Sequence, residues 1–338
     1  MYEDLVLIES QEELRELFGH LDTNINLICD SLSVNISIRD GNHLTISGNK
    51  KNVKQAVMLI EDLLTIIRRG NPVNLADIRY QIEIIGQNST SLLNELYSFE
   101  IQVFKKDKII RPKTFGQKQI LEKINTNEIL FVIGPAGTGK TYLAVALAIS
   151  ALKKKEVDRI ILVRPAVEAG ESLGFLPGDL MEKIDPYFRP LYDAIYEMMP
   201  YEKFQNFLEH GIIEVAPLAY MRGRTLNNSF IILDDAQNTT LGQMKMFLTR
   251  FGFGSKIIVT GDITQVDLPQ KTNSGLISIA EILKNIQGIE FIYLEKKDVV
   301  RHRLVKEIIL AYENAYKYEK NIINNLEKNS FKNENKKN

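Results

Sequence analysis

The residues at 134–141, Gly134, Pro135, Ala136, Gly137, Thr138, Gly139, Lys140 and Thr141, hold the densest chemistry in the chain. Glycines at 134, 137 and 139 let the backbone curl so that its N–H groups converge on an anion. A helix starting directly after them adds its positive end. Lys140 is a mobile cation suited to the β- and γ-phosphates of a nucleoside triphosphate, and the Thr141 hydroxyl is a ligand for Mg²⁺. The pattern G-x-x-x-x-G-K-[ST] carries this meaning only between a strand and a helix. That context is present: ILFVI at 129–133 is an apolar run of strand length, and YLAVALAIS at 142–150 reads as a buried helix. The other reading is a turn that only joins the two. The spacing favours an ATP-type site with Mg²⁺.

Two more apolar runs end in polar groups. In FIILDDAQN (230–238), Asp234 is placed to hold the metal through water, and Asp235 to orient or deprotonate an attacking water. Paired acids here could instead cap the next helix. In KIIVTGDITQVDLP (256–269), Gln265 follows the strand by one turn and is the candidate sensor of the γ-phosphate; a simple turn is the alternative.

These groups need a rigid frame, and the chain from 111 to 319 supplies its pattern. Strand candidates at 129–133, 159–163, 212–215, 230–233, 256–260 and 290–294 alternate with helices such as 142–154, 241–251 and 276–285. The strands are near-continuous apolar runs, as a parallel sheet covered on both faces requires. An α/β, doubly wound parallel-sheet domain follows, with its ligand at the carboxyl ends of the strands.

Residues 1–70 read as a separate α+β unit: a strand at 5–8, a helix capped by Ser10 with Glu13 at the capping-box position, a second helix from 22 to 32, a hairpin around Asp40-Gly41, and a helix from 52 to 67. That order resembles a KH domain, which binds single-stranded nucleic acid through a GxxG loop. Here the loop reads Gly19-His20-Leu21-Asp22, with an acid where the second glycine belongs. Residues 71–110 form a helical, then basic, linker with helices at 75–86 and 89–97. The cations at 105, 106, 108, 111 and 113 suit either a solvated linker or nucleic-acid contact. Residues 320–338, rich in Asn and Lys with little apolar content, read as a disordered tail.

Whole-chain numbers exclude several classes. With a net charge of −1, any nucleic-acid surface must be a local patch. One cysteine (Cys29) and four scattered histidines leave neither an internal disulfide nor a zinc-ligand spacing. The acidic start lacks a signal-peptide pattern, and no apolar run approaches the roughly 18 residues of a membrane span, so a cytoplasmic protein is expected.

The blocks GPAGTGKT, RPAVEAGESLGFLPGD (164–179), YMRGRT (220–225), LDDAQNTT and TGDITQVDLP, in this order, resemble the PhoH-like family, bacterial ATPases related to superfamily 1 RNA helicases. The resemblance runs from about Leu5 to Tyr318. It implies ATP binding and hydrolysis, a role in RNA metabolism with single-stranded RNA as partner, and association with an rRNA-maturing endoribonuclease. By the same resemblance, Gln117 matches a glutamine that reads adenine, though an exposed helix residue is the alternative, and Arg301 matches an arginine finger. Two departures stand out. Asp235 occupies a position where the family has Glu, and Arg303 replaces a Pro, leaving open which arginine is the finger. Arg164, Arg222 and Arg224 fit nucleic-acid contacts or structural ion pairs. One lobe alone cannot supply a finger from a second lobe, so the finger comes from its own lobe or from a neighbouring subunit, and a finger in trans implies a homo-oligomeric ring, most simply a hexamer. A small-molecule kinase and a slow nucleotide-dependent switch that binds a partner protein are the competing readings.

Overall fold

The computed structural model describes residues 2–73, 75–86, 93–165, 180–269, 273–301 and positions 304, 305, 307, 308, 311 and 312. The 320–338 tail, the start of the helix expected at 89–97, the run 166–179 and Arg303 lie outside them. The chain divides into two compact units, Met1–Asp298 and Val299–Asn338. The elements that follow belong to the first.

The chain opens with β1 (Tyr2–Leu7), α1 (Gln11–Phe18), α2 (Thr23–Leu32), β2 (Val34–Arg39), β3 (His43–Gly48) and α3 (Lys50–Arg68). This is the strand–helix–helix–hairpin–helix order expected from the sequence. The three strands form an antiparallel sheet in the order β1-β3-β2. Ser10 caps α1 by accepting the Glu13 N–H at 3.1 Å. The Glu13 carboxylate reaches past the cap to the Glu9 N–H at 3.0 Å, where a full capping box would turn it to Ser10. It is held there by Arg68, whose Nε and Nη2 donate at 3.0 and 3.1 Å. Asp40 and Gly41, at φ 53° and 76°, turn the chain between β2 and β3. Val53, Ala56, Leu59, Ile60, Leu63 and Leu64, spaced three and four apart, bury one face of α3 in this unit's core.

The segment between the two sheets is shared by two cores. Helix α4 (Leu75–Gly86) buries Ile78 and Ile85 in the first. After α5 (Leu93–Tyr97), the short pair β4 (Ile101–Gln102) and β5 (Ile109–Ile110) buries Ile101, Val103 and Ile110 in the second. The cations of the basic run alternate with these apolar residues and find local partners. Lys108 pairs with Glu197 at 2.6 Å, Arg111 with Glu100 at 2.5 Å, and Lys105 donates to the Tyr196 carbonyl at 2.6 Å.

Then follow α6 (Phe115–Thr126), β6 (Ile129–Ile133), α7 (Lys140–Lys153), β7 (Arg159–Arg164), α8 (Leu180–Met198), α9 (Tyr201–Glu209), β8 (Ile213–Pro217), β9 (Ser229–Leu233), α10 (Leu241–Leu248), β10 (Lys256–Gly261), α11 (Gly275–Leu283) and β11 (Ile289–Tyr293). Among the described residues, six strands form one parallel sheet in the order β11-β6-β10-β9-β7-β8. Alternate residues of β6 face opposite cores: Leu130 and Val132 pack with residues of α6, α7 and α8, whereas Ile129, Phe131 and Ile133 pack with those of α10 and α11. Both faces are covered, which explains why the strands read as unbroken apolar runs. Each fully buried side chain of this kind contributes about 1.5–3 kcal/mol. Among the described residues no helix is long and apolar enough to cross a membrane.

The strand order decides the site. It seats β10 between β6 and β9, so the loop leaving β6 and the acids leaving β9 flank the end of β10.

Candidate nucleotide site

The loop after β6 is held open by close backbone approaches. A Cβ on Gly134 would lie 2.7 Å from Leu294 Cβ and 2.9 Å from its carbonyl oxygen, so only glycine lets the chain leaving β11 pass so near. Gly137 and Gly139 take φ of 84° and 79°, the left-handed turns that bend the loop into α7. Lys140 Nζ donates to the carbonyls of Gly134 (2.6 Å) and Pro135 (2.8 Å), so its ammonium lies over the loop where phosphate oxygens would replace those carbonyls. Thr138 Oγ1 closes the turn on the Pro135 carbonyl at 2.9 Å.

Gln117 is buried, 4% exposed, and braces the loop from beneath. Its Nε2 donates to the Thr138 carbonyl at 2.9 Å and its Oε1 accepts the Lys113 N–H at 2.7 Å. Thr114 caps α6 by accepting the Gln117 N–H at 3.2 Å, which fixes the side chain's point of departure. Gln117 is thus a strut between α6 and the loop, and an adenine would have to share an amide that already serves both.

At the mouth of the loop, Thr141 Oγ1 donates to Asp234 Oδ1 at 2.8 Å, and Thr260 Oγ1, from the end of β10, donates to the same oxygen at 2.5 Å. Asp234 is 4% exposed. The hydroxyl and the acid expected to share a metal are therefore in direct contact. They are hard oxygen donors, and among the described residues no group of three His, Cys, Asp or Glu side chains could hold a metal by itself. That donor set suits Mg²⁺, which binds through one or two protein oxygens and substrate phosphates and keeps several waters.

Asp235 follows in the left-handed region, φ 52°, which swings its carboxylate away from Asp234. Its Oδ2 pairs with Arg164 Nη2 from the end of β7, and its Oδ1 faces Gln237 Nε2 at 3.4 Å. Gln237 Oε1 in turn accepts the Asp262 N–H at 3.0 Å. Gln265 Nε2 donates to Asp262 Oδ2 at 2.9 Å, which points the sensor candidate along the same carboxyl edge.

Lys140, Thr141, Asp234, Asp235, Asp262 and Gln265 border a cavity of about 390 Å³. Its far wall is a face of α8, Pro190, Asp193, Ala194 and Glu197, which sequence reasoning missed. Glu197 accepts from Lys108 at 2.6 Å and from the Tyr142 hydroxyl at 3.2 Å. The Lys108 hydrogen bond holds the Glu197 carboxyl below its ordinary range, and burial pushes the Tyr142 phenol up. The lining includes the carboxylates of Asp193, Glu197, Asp234, Asp235 and Asp262 against the single ammonium of Lys140. A polyphosphate entering so acidic a site needs a divalent cation beside it.

The remaining candidates divide. Arg224 is locked on Glu214 by two bonds of 2.5 and 2.7 Å, a structural ion pair. Arg222 is exposed. Arg301 is exposed and belongs to the second compact unit, and most of the RPAVEAGE block lies outside the described residues. Thr260 and Gln237 also went unnamed as site residues from sequence. The first ends a strand already singled out, and the second sits in the LDDAQN block, so both were within reach of it.

A parallel sheet of this order, with the glycine loop after β6 and the acids after β9, defines a RecA-like P-loop nucleotide-binding domain. The family model described as PhoH-like protein matches residues 109–313. The PhoH-like protein of Bacillus subtilis (strain 168) is 50% identical over 306 residues, 90% of this chain and 96% of that protein. The PhoH-like protein of Mycobacterium tuberculosis (strain ATCC 25618 / H37Rv) is 51% identical over 296 residues, 88% of this chain and 84% of that one. Protein PhoH of Escherichia coli (strain K12) is 46% identical over 199 residues, 58% of this chain and 56% of its own length. The chain belongs to the PhoH-like family. A solved Sulfolobus solfataricus SWI2/SNF2 ATPase core in complex with dsDNA aligns with a TM-score of 0.33 and 14% identity over 54% of this chain and 44% of that one, too small an overlap to carry any feature across.

Proposed function

We propose that this protein hydrolyses ATP with Mg²⁺ and couples the reaction to single-stranded RNA in the cytoplasm. The observation that carries the ATPase reading is the Thr141–Asp234 contact of 2.8 Å beside the glycine loop. Thr141 and Asp234 would hold Mg²⁺, which offsets phosphate charge and orients the β- and γ-phosphates when bound. The loop N–H groups and Lys140 bind the phosphates and stabilise the charge that develops on transfer. Asp235 orients a water whose oxygen forms a bond to the γ-phosphorus while the bond to the β–γ bridging oxygen breaks, its electron pair leaving on ADP. The water's proton passes to Asp235 and from there to the released phosphate. Gln265 sits on the γ-phosphate side as sensor, and Gln117 holds the loop's shape.

The RNA reading is supported by what the sequence resemblance implies, by the KH-like order of β1 to α3, and by exposed Arg222 and half-exposed Tyr220 just after β8. A homo-oligomeric ring, with Arg301 of one subunit completing the next subunit's site, and an rRNA-maturing endoribonuclease as partner belong to the same proposal. The pairing of Asp235 with Arg164 favours a second reading, a slow nucleotide-dependent switch. Steady-state ATPase activity with and without a single-stranded RNA oligonucleotide separates them. Stimulation supports the first, and slow turnover indifferent to RNA supports the second.

A further inference from the structure

Arg164 closes β7, and its guanidinium is committed on two sides. Nη2 pairs with Asp235, and Nη1 donates to the backbone carbonyl of Tyr187 in α8. Asp235 borders the cavity, while the Arg164 side chain is 18% exposed and does not. We propose that Arg164 is a positioning residue that restrains Asp235, and that phosphodiester oxygens of single-stranded RNA release the acid by competing for the guanidinium. This rests on both the ATPase and the RNA readings above, and a wild-type chain that hydrolyses ATP but is not stimulated by RNA would fail the RNA reading rather than the restraint by Arg164.

The acid's surroundings carry the first half of the inference. Both carboxylate oxygens of Asp235 face protein donors, Arg164 on Oδ2 and Gln237 Nε2 at 3.4 Å on Oδ1. A water that needs the same lone pairs competes with a charge-assisted hydrogen bond, the stronger kind. Until that bond is exchanged, neither Asp235 oxygen is free to hold the water in place.

The sheet's register carries the second half. Arg164 lies opposite Pro217 of β8, and the chain leaving β8 at that point presents Tyr220, 50% exposed, followed by exposed Arg222. An exposed aromatic ring with an exposed arginine two residues on is a pairing suited to single strands, the ring by stacking and the guanidinium by phosphate contact. Arg224 is not part of this surface, because Glu214 holds it bidentately. A guanidinium binds carboxylate and phosphate alike, so the Nη2 that pairs with Asp235 can pair with a phosphate oxygen instead.

The test is steady-state ATPase kinetics on the full chain and its Arg164→Ala and Arg164→Lys variants, each with and without a single-stranded RNA oligonucleotide. Arg164→Ala should raise RNA-free kcat on the order of ten-fold, the worth of one charge-assisted hydrogen bond released from the acid. RNA should then add less than about two-fold. Arg164→Lys, which keeps the charge and loses the fork, should fall between wild type and Arg164→Ala. In an Asp235→Asn background Arg164→Ala should change nothing, since the restraint acts through the carboxylate. A fall in RNA-free kcat for Arg164→Ala would make Arg164 an orienting group and overturn the proposal, as would undiminished RNA stimulation of that variant. If circular dichroism shows Arg164→Ala unfolded, Arg164→Lys decides by the same criteria. A wild-type chain that hydrolyses no ATP in either condition fails the ATPase reading itself, which is a different outcome.

Discussion

Replacing Thr260 by valine removes one hydroxyl, with its short bond to Asp234 and a longer one of 3.4 Å to the Leu233 carbonyl, and almost nothing else. The side chain has no exposed surface, valine has nearly its shape, and its Oγ1 donates to Asp234 Oδ1 at 2.5 Å. Asp234 is 4% exposed, so water cannot easily replace the lost donor, and Thr141 at 2.8 Å remains as the other hydroxyl on that oxygen. Stripping one donor from a buried acceptor costs about 1–3 kcal/mol, with a charged acceptor at the upper end. Loss of a bond that orients a metal-ligating carboxylate typically weakens metal binding ~10–100-fold. Thr260→Val should therefore lower the urea midpoint with the slope unchanged, and raise the Mg²⁺ concentration needed for nucleotide binding. Thr260→Ser, which restores the hydroxyl, should recover most of both. A variant with wild-type midpoint and wild-type Mg²⁺ dependence would refute the reasoning, because Asp234 would then be held by something other than these two hydroxyls.

Gly134→Ala should destabilise the chain by ~1–3 kcal/mol through overpacking against Leu294 and weaken nucleotide binding, and an unshifted melt would contradict the tight approach. The Arg68 hydrogen bonds hold the Glu13 carboxyl below its ordinary range, so their contribution is complete above the unfolded carboxylate pKa of about 4.3 and is lost as pH falls through the lower folded value. With Arg68 36% exposed, that contribution should stay near or below about 1 kcal/mol. The melting difference between wild type and Glu13→Gln should shrink on acidification from neutral pH to about pH 3, and a pH-independent gap would rule this out. If the finger is supplied in trans, mixing Lys140→Ala with Arg301→Ala subunits should restore part of the ATPase activity lost by each alone, and a mixture no better than its parts would speak against the ring.

The central loop was legible because motif and periodicity agreed there. An apolar run, the glycine spacing and an Ala- and Leu-rich helix each pointed to the same turn. Strands β6, β7, β9 and β10 were readable for a related reason, since burial on both faces leaves their centres apolar, while the edge strands β8 and β11 carry Glu214 and Glu290. Helix α8 was not readable, because Pro186 and Pro190 lie inside it and punctuate a sequence like a loop. Its apolar side, Phe188, Leu191, Ile195 and Met198, packs it against the sheet domain regardless. The basic run between the sheets misled in the opposite direction. Its charge density suggested solvated chain, while Ile101 and Val103 just before the lysines and Ile110 among them belong to the core. Gln117 was found by resemblance, but its burial beneath the loop depends on the return of the chain from β6 over α6, which local pattern does not encode.

The central claim is that the loop at 134–141 binds and turns over ATP, and one measurement tests it most directly. Steady-state ATP hydrolysis by wild type and by Lys140→Ala should be compared at saturating Mg²⁺, with circular dichroism confirming that both are folded. Lys140 is the single ammonium lining the cavity, so its loss should remove hydrolysis to the limit of detection while the fold persists. A folded Lys140→Ala protein that hydrolyses ATP at the wild-type rate would contradict the assignment of this site.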